Sequence, residues 1–322
     1  MSHHDPDREA QVPEELAGER FDRALARMFP EYSRSRLKQL IERGEVLLDG
    51  GQCRPREAVV AGQTVSLSAE PTPQPSRVTA QALPLNVRHA DEELIIIDKP
   101  PGLVVHPGAG NPDGTLENAL LHHFPELSAV PRHGLIHRLD KDTSGLLVIA
   151  RSNRAHVVLT EAMQAREISR EYLAVVVGSM PAGGTVRASI ARHPVDRKRM
   201  AVRDGGREAV THYRVAERFA HHSLLRVKLE TGRTHQIRVH MAHIRHPIIG
   251  DPVYGRRLAI PRGATEALAE ALRGFRRQAL HATALSLHHP VTGERISVQA
   301  DPPEDMQALL DVLRQDTEAR GS

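Results

Sequence analysis

The sequence predicts an α+β protein of two domains, and three observations support this prediction. The chain has 322 residues, which is long enough for two domains and a sizeable core. From about residue 83 to residue 300, short apolar runs typical of strands alternate with segments of helical periodicity. A proline-rich stretch separates this part from a smaller module. The expected boundaries are a small domain over 19–68, a linker over 69–82 and a main domain over 83–300.

The two ends of the chain are acidic, whereas its body is basic. Residues 1–18 carry one basic and five acidic side chains, and residues 301–322 carry two basic and six acidic ones. Because the whole chain has a net charge of +3, residues 19–300 hold +11. We expect an acidic tail over 1–18 and a C-terminal helix and tail over 301–322. The basic body favours a phosphate-rich partner such as a nucleic acid.

Composition and motifs exclude several classes of protein. No apolar run approaches the roughly 18–20 residues of a membrane span, and the N-terminal segment MSHHDPDREAQVPEE lacks the apolar core of a secretory signal. The single cysteine, Cys53, excludes an internal disulfide framework and a multi-cysteine zinc site. None of the 20 histidines shows metal-ligand spacing. We therefore expect a soluble cytoplasmic protein with no membrane association and no metal.

The small domain begins with two predicted helices and ends with two predicted strands. Phe21, Leu25 and Met28 recur at helical spacing, and a second helix is predicted from the cap Ser33 to Gly44. The segments EVLLDGGQ and QTVSL predict strands, with an Asp-Gly turn after the first. The second helix carries a basic surface, which is either a solvated face or a surface that docks RNA: Arg34, Arg36, Lys38 and Arg43.

In the main domain, apolar runs and periodicity predict strands and three helices. The strand candidates are EELIIIDKP, GLLVIA, EYLAVVVG, SLLRVKLE and the pair within ATALSLHHPVTGERISV, which a Pro/Gly turn joins. Helices are predicted at about 114–124, 152–166 and 264–278. Residues 146–150 predict a strand buried on both faces.

A dense polar cluster, HRLDKDTSG, precedes that buried strand. The residues 142–145, Asp-Thr-Ser-Gly, fit a turn that caps the strand. Arg138 and Asp140 come before this turn and need another explanation. Two further segments invite a functional interpretation, TGRTHQIRVHMAHIRHP (231–247) and REISREYLAVVVG (166–178).

In the segment 231–247, Thr234 can cap a helix with an apolar stripe that includes Ile237, and Arg238 then lies in the first turn, off that stripe. A strand from residue 234 to 240 is the alternative. Arg238 is either a surface charge or part of a lined cleft.

Tyr172 lies at the start of a core strand, where it is either a buried tyrosine with a bonded hydroxyl or a stacking surface.

The glycine-rich segment HPGAGNPDG (106–114) does not fit a nucleotide-binding loop. It lacks the dinucleotide fingerprint, and no Gly-Lys-Ser/Thr sequence is present. We therefore expect no nucleotide cofactor and a tight loop near a substrate.

The three elements HRLDKDTSG, the Tyr172 segment and GRTHQIRVH together resemble the RluA-type family of pseudouridine synthases. SRSRLKQLIERGEVLLDG resembles the S4 RNA-binding module. The resemblance implies an N-terminal S4-like domain followed by a catalytic domain with a mixed, mainly antiparallel β-sheet and flanking helices. It also implies an isomerisation in which the N1–C1′ bond of uridine breaks and C5 joins C1′, with no cofactor.

The resemblance further implies roles for individual residues. Asp140 is the catalytic carboxylate and Arg238 is its partner; Tyr172 stacks on uracil or helps to remove the C5 proton. Arg138 matches a residue that takes the place of the extruded base, and Ile237 forms part of the pocket wall. The remaining substrate contacts are assigned to His137 and Arg233. Whether the carboxylate attacks C1′ or removes the 2′ proton stays open at this stage.

The substrate implied by the resemblance is 23S rRNA, either free or in a large ribosomal subunit particle, with target uridines in the helix 69 loop. Other rRNA sites or tRNA are alternatives, as are a non-catalytic RNA-binding assembly factor and a nucleoside-hydrolysing glycosidase. A monomer is expected. Basic clusters at 192–207 and 256–277 are either RNA contacts or solvated surface.

Overall fold

A computed structural model of the chain describes residues 8–29, 32, 34–68, 78–108, 110–196, 199–255 and 260–321, with the backbone alone described at 34, 35 and 321. The chain divides into two units, Met1–Arg77 and Val78–Ser322. The division falls inside the stretch 69–82 for which a linker is predicted. The other domain boundaries stay predictions.

The small unit combines two helices and a three-stranded antiparallel sheet around one apolar core. In chain order the elements are β1 (Arg8–Gln11), α1 (Phe21–Met28), α2 (Arg34–Arg43), β2 (Val46–Leu48) and β3 (Thr64–Leu67), and the strand order is β1-β3-β2. Phe21, Leu25 and Leu37 are fully buried in this core. The two predicted helices and two predicted strands are therefore present. Ser33, the predicted cap of α2, lies outside the described residues.

Strand β1 differs from the acidic tail predicted over 1–18. It pairs with β3 along its whole length, from Arg8 opposite Leu67 to Gln11 opposite Thr64. Val12 and Leu16, which follow it, are buried in the core of the small unit. Because β1 is a largely exposed edge strand of four residues, its sequence shows too little alternation to be distinguished from a polar tail.

The main unit is built on a mixed, mainly antiparallel sheet, as the resemblance implied. Its strands in the described residues are β4 (Val87–Ala90), β5 (Leu94–Lys99), β6 (Ser144–Ala150), β7 (Ser169–Val177), β8 (Gly184–Arg187), β11 (Val210–Arg218), β12 (His222–Leu229), β13 (Leu280–His288) and β14 (Arg295–Gln299). They are ordered β4-β5-β6-β13-β7-β12-β11-β8, with β14 beside β13. The pair β6–β13 is parallel and the other pairs are antiparallel. A separate hairpin joins β9 (Ile190–Arg192) to β10 (Met200–Val202).

Five α-helices flank the sheet in the described part of this unit: α3 (Leu116–His123), α4 (Asn153–Gln164), α5 (Gln236–His243), α6 (Glu266–Gly274) and α7 (Glu304–Gly321). Thr115, Ser152 and Thr265 cap α3, α4 and α6, because each side chain accepts a hydrogen bond from the first turn. The predictions at 114–124, 152–166 and 264–278 are confirmed, with shorter bounds. No helix in the described residues is long and apolar enough to cross a lipid bilayer.

Strand β6 lies in the centre of the sheet and carries the polar segment that precedes it. All seven of its residues are buried, which confirms the prediction of a strand buried on both faces. Gly145 has φ +109°, and a Cβ there would collide with the backbone of Ala282 on β13. Only glycine therefore allows β6 and β13 to approach at the end where the polar segment enters the sheet.

Candidate active site

A cavity of about 500 Å³ lies where the three motifs meet. The segment before β6 contributes Asp140, β7 contributes Tyr172, and the start of α5 contributes Ile237 and Arg238. The turn before β6 spans 140–143 and is closed by the amide of Thr143 donating to the carbonyl of Asp140. It thus begins two residues earlier than predicted, and it presents Asp140 at its first position.

Arg238 connects two carboxylates from different parts of the chain. Its Nη1 donates to Oδ2 of Asp140 at 2.8 Å, while Nε and Nη2 donate to the two oxygens of Asp251 at 2.7 and 2.9 Å. Asp251 also accepts from the amides of Val253 and Tyr254. The bidentate bond to Asp251 fixes the guanidinium plane, so that Nη1 is directed at Asp140.

Burial and mutual contact affect the pKa values of Arg238 and Asp251 in opposite directions. Arg238 is 5% exposed and the Asp251 side chain is fully buried. Burial alone would lower the pKa of Arg238, but the bond to Asp251 and the charges of both carboxylates hold that pKa above its usual range. Burial would likewise raise the pKa of Asp251, and the bond to Arg238 outweighs it and lowers the pKa. One guanidinium thus lies between two carboxyl groups, and the opposite charges of Arg238 and Asp251 stabilise each other.

His235 lies on the other side of the Asp140 carboxylate. Its Nε2 is 3.8 Å from Oδ1 of Asp140, and its Nδ1 is 2.7 Å from the Tyr254 hydroxyl. The amide of Met200 donates to that hydroxyl at 2.7 Å, which leaves the hydroxyl its own proton to donate to Nδ1. Burial lowers the pKa of His235. The ring is therefore neutral and carries its proton on Nε2, facing Asp140.

The start of α5 differs from the sequence prediction. His235, not Thr234, is the N-cap residue of α5; it has φ +58°, and its side chain makes no capping bond. The bond from the Tyr254 hydroxyl holds this left-handed residue in place. Arg238 nevertheless lies in the first turn of the helix, as predicted.

Tyr172 and Ile237 form apolar walls of the cavity and are 5% and 4% exposed. The Tyr172 hydroxyl makes no hydrogen bond within the described residues. Burial raises the pKa of the Tyr172 phenol. This side chain is therefore a poor proton acceptor at neutral pH, and its ring face is its main contribution to the cavity.

Comparisons with known proteins agree with this geometry. Residues 93–243 match the model of the family described as RNA pseudouridylate synthase, and residues 19–65 match the S4 domain. The chain is 56% identical to ribosomal large subunit pseudouridine synthase D of Xanthomonas campestris pv. campestris, over 96% of this chain and 93% of that protein. The chain belongs to the RNA pseudouridylate synthase family. The RluA-type resemblance seen in the sequence is thereby confirmed.

Two further proteins are similar to this synthase. Its identity to ribosomal large subunit pseudouridine synthase D of Escherichia coli strain K12 is 54%, over 96% of this chain and 95% of that protein. The solved structure named Human RNA Pseudouridylate Synthase Domain Containing 4 is 27% identical, with a TM-score of 0.58, over 71% of this chain and 93% of that one. The sequence relatives and the structural relative thus indicate the same fold and the same class of enzyme, a pseudouridine synthase.

The synthase holds the turn that presents Asp140 with a lysine that sequence analysis missed. Lys99, at the end of β5, is fully buried, and its Nζ donates to the carbonyls of Pro100, Leu103 and Lys141 at 2.8–2.9 Å. Lys141 is the residue after Asp140, so this ammonium ties the turn to the end of β5. Burial lowers the pKa of Lys99 to about 7. The run EELIIIDKP marked β5, but nothing in it indicated that the lysine is buried.

The other predicted contacts of the synthase lie around the same cavity. The Nε2 of His137 accepts from the amide of Val148 at 3.1 Å, and burial, with the charge of Arg170, lowers the pKa of His137 to about 3. Its Nδ1 is buried and, within the described residues, unpartnered. Arg138 is exposed at the rim of the cavity, and Arg233 is half-buried with its Nε donating to the Glu208 carbonyl. All three line the cavity, as the prediction requires.

The predicted RNA-docking helix of the S4 domain is α2. Lys38 and Arg43 are exposed and form ion pairs with Glu42 at 3.4 Å and Glu45 at 3.9 Å, respectively. Such surface pairs are weak and can exchange for a phosphate. Arg36 is half-buried, and the side chain of Arg34 lies outside the described residues, as do residues 197, 198 and 256–259 of the two basic clusters. RNA binding by α2 and by those clusters stays a prediction.

Proposed function

We propose that this synthase converts uridines in the helix 69 loop of 23S rRNA to pseudouridine, with Asp140 as the catalytic carboxylate. The relatives named ribosomal large subunit pseudouridine synthase D, at 56% and 54% identity over 96% of the chain, support the substrate class. The observation that supports the role of Asp140 is its bond to Arg238 in the cavity beside Tyr172. The enzyme acts as a monomer in the cytoplasm, on free rRNA or on the large subunit particle.

The charge arrangement suits a reactive carboxylate. Arg238 places a positive charge against Asp140 inside a partly closed cavity and holds the group on which the reaction depends. Asp251 binds two of the guanidinium nitrogens of Arg238, so Asp140 shares its cationic partner with a second carboxylate. Asp140, Arg238 and Asp251 form a triad of two carboxylates and one guanidinium, which has a net negative charge. One oxygen of Asp140 accepts the Arg238 bond, and the other remains for the ribose. That oxygen attacks C1′ or removes the 2′ proton, and the N1–C1′ bond breaks in both routes.

The walls of the cavity hold the base while it turns. Tyr172 stacks on uracil, and Ile237 covers part of the pocket without a polar contact of its own. Arg138 enters the space that the extruded base leaves in the RNA, and His137 and Arg233 contact the bound nucleotide. Extrusion of a base costs a few kcal/mol and least in an unpaired loop, which favours a hairpin loop as the target.

A single assay tests this function. The purified protein is incubated with a helix 69 stem-loop, and pseudouridine is mapped by carbodiimide modification and primer extension, while free uracil is measured in the same sample. We expect pseudouridine from the wild type, none from Asp140→Asn, and no uracil release. Folded protein that modifies neither this stem-loop nor large subunit particles would disprove the substrate, and release of uracil would indicate a glycosidase.

The two remaining alternatives need different experiments. Mapping pseudouridines in rRNA and tRNA from cells with and without the protein separates helix 69 from other targets. A cellular role that survives Asp140→Asn would identify a non-catalytic assembly factor, because such a factor needs RNA binding alone.

A further inference from the structure

Arg170 lines the same cavity, and the function proposed above gives it no role. It lies on β7 two residues before Tyr172, so both side chains project from the same face of the strand. Among the described residues its guanidinium has no hydrogen-bond or ion-pair partner, and its Nε is buried from solvent. Partial burial of a cation without an anionic partner costs free energy. The substrate is the remaining source of an anionic partner for this guanidinium.

Arg170 differs in this respect from the other arginines of the cavity. Arg238 binds two carboxylates, and Arg166 forms an ion pair with Glu230 at 2.5 Å. The remaining arginines are held by a backbone carbonyl or are exposed at the rim: Arg233, Arg132 and Arg138. Arg170 thus combines a half-buried position with an unpaired guanidinium.

Gly232, another residue that lines the cavity, leaves room for this guanidinium. A Cβ at Gly232, in the turn before α5, would lie 3.1 Å from Nη1 of Arg170, so the absence of a side chain there lets the arginine approach the backbone. Arg170 is also the charged group that acts most strongly on the Tyr172 phenol, where it opposes the effect of burial on the pKa. Because Arg170 and Tyr172 project from the same face of β7, the cation and the ring that is assigned to uracil line the cavity together.

Uracil is neutral in the substrate and negatively charged when it detaches. When the N1–C1′ bond breaks, its electron pair stays on the base, and the negative charge is shared among N1, O2 and O4. We propose that Arg170 is a catalytic residue that donates hydrogen bonds to a carbonyl oxygen of the detached uracil and stabilises this charge. This inference rests on the proposed function. The negative charge on uracil develops only as the N1–C1′ bond breaks. A cation that stabilises this charge therefore accelerates bond cleavage and does not strengthen the binding of the substrate.

The atoms and electrons of the reaction balance without another reactant. The detached uracil turns, and C5 attacks C1′ to form the new bond. Where the Asp140 oxygen has attacked C1′, C5 displaces it and the carboxylate is restored; where Asp140 has removed the 2′ proton, that proton returns to C2′ as the bond forms. The C5 proton then leaves, and N1 takes up a proton. The product is an isomer of the substrate. Arg170 donates hydrogen bonds throughout and transfers no proton.

A backbone phosphate is the other anionic oxygen that RNA could place against Arg170. The position of Arg170 on the same face of β7 as Tyr172, together with its partial burial, favours the base over the phosphate. The two partners predict different results, because a phosphate contact contributes to binding and to its salt dependence.

The test compares Arg170→Gln and Arg170→Lys with Arg154→Gln, a control on the exposed surface of α4. Single-turnover cleavage of the N1–C1′ bond is measured in stem-loops that carry uridine or 5-fluorouridine at the target position. Fluorine withdraws electrons and makes the detached base a weaker base, so it depends less on Arg170. With uridine, Arg170→Gln should slow cleavage on the order of 100-fold. The fold-decrease in the cleavage rate of Arg170→Gln should be clearly smaller with 5-fluorouridine than with uridine. The cleavage rate of Arg170→Lys should lie between those of Arg170→Gln and the wild type, and Arg154→Gln should cleave at the wild-type rate.

Gly232→Ala supplies a second variant that keeps Arg170 but displaces its guanidinium. Gly232→Ala should slow cleavage of the uridine stem-loop more than cleavage of the 5-fluorouridine stem-loop. It replaces Arg170→Gln in the test if circular dichroism shows that Arg170→Gln does not fold. Equal losses on the two substrates would overturn the inference. So would weaker binding, with a salt slope reduced by about 0.7 and an unchanged cleavage rate, which would assign Arg170 to a phosphate. Wild-type turnover in the same assay reports on the proposed function separately.

Discussion

Arg238 donates to Asp140 with one nitrogen and to Asp251 with the other two, which brings together three groups from two distant parts of the chain. The loop before β6 and the turn after α5 are thereby joined through a single guanidinium. The position of Asp140, the proposed catalytic carboxylate, depends on Asp251, which does not itself line the cavity. Stability and activity should therefore respond together to changes in this triad.

Removal of either buried member of the triad should destabilise the fold. Arg238→Ala leaves two carboxylates without their cation, and Asp251→Ala leaves the guanidinium with Asp140 alone; loss of one partner from a buried pair costs about 3–5 kcal/mol. We expect the larger loss in Arg238→Ala, and a double variant that loses less than the two single variants combined. Urea unfolding followed by circular dichroism measures this. Additive losses would show that the two residues are not coupled.

The sequence predicted the centre of the site but not its supports. HRLDKDTSG and the Tyr172 segment flank strongly apolar strands, so periodicity located them and the resemblance assigned Asp140, Arg238 and Tyr172. Asp251 and Lys99 were missed because their importance depends on tertiary partners, which no local pattern reveals. Nothing near Lys99 in the chain indicates that its ammonium meets three carbonyls.

The strands that were missed share one physical feature. β1, β4 and β8–β11 are short or have one exposed face, and their polar residues hide the alternation that marks a strand. The start of α5 was misplaced for a different reason. Thr234 has the composition of a cap, but His235 begins the helix because Tyr254, almost 20 residues later, holds it in a left-handed conformation.

Replacement of Lys99 should weaken the fold and loosen the catalytic turn. Lys99→Met fills the same space but leaves three buried carbonyls without their donor, which costs about 1–3 kcal/mol for each unsatisfied group. This cost is offset in part because the variant does not have to bury a charged ammonium group. We expect a net loss of about 2–4 kcal/mol in urea unfolding. Lys228→Met is the control, since Lys228 is 62% exposed and should change stability by less than about 0.5 kcal/mol. Equal effects of the two variants would contradict the role given to Lys99.

The pH dependence of stability should report on His137. Burial lowers its pKa to about 3 in the folded protein, whereas the unfolded chain takes up a proton near pH 6.5. Between these values the unfolded state binds more protons, so the free energy of unfolding falls as the pH is lowered from 6.5 towards 3. His137→Gln can still accept from the Val148 amide and should make this decline less steep.

A matched control for this experiment is His288→Gln, because His288 is exposed on β13. Urea unfolding at several pH values between 4 and 7 compares the three proteins. A decline in His137→Gln as steep as in the wild type would show that other groups cause it.

Tyr254→Phe should separate the support of His235 from the chemistry of Asp140. The variant keeps the ring but leaves the Met200 amide and Nδ1 of His235 without the hydroxyl, which should cost about 1–3 kcal/mol of stability. His235 then no longer has its proton fixed on Nε2, facing Asp140. We expect single-turnover cleavage to slow by about tenfold with RNA affinity unchanged, because the binding surface is intact. Tyr213→Phe, on β11 and outside the cavity, is the control; a loss of RNA affinity in Tyr254→Phe without a slower cleavage step would instead place this hydroxyl in substrate binding.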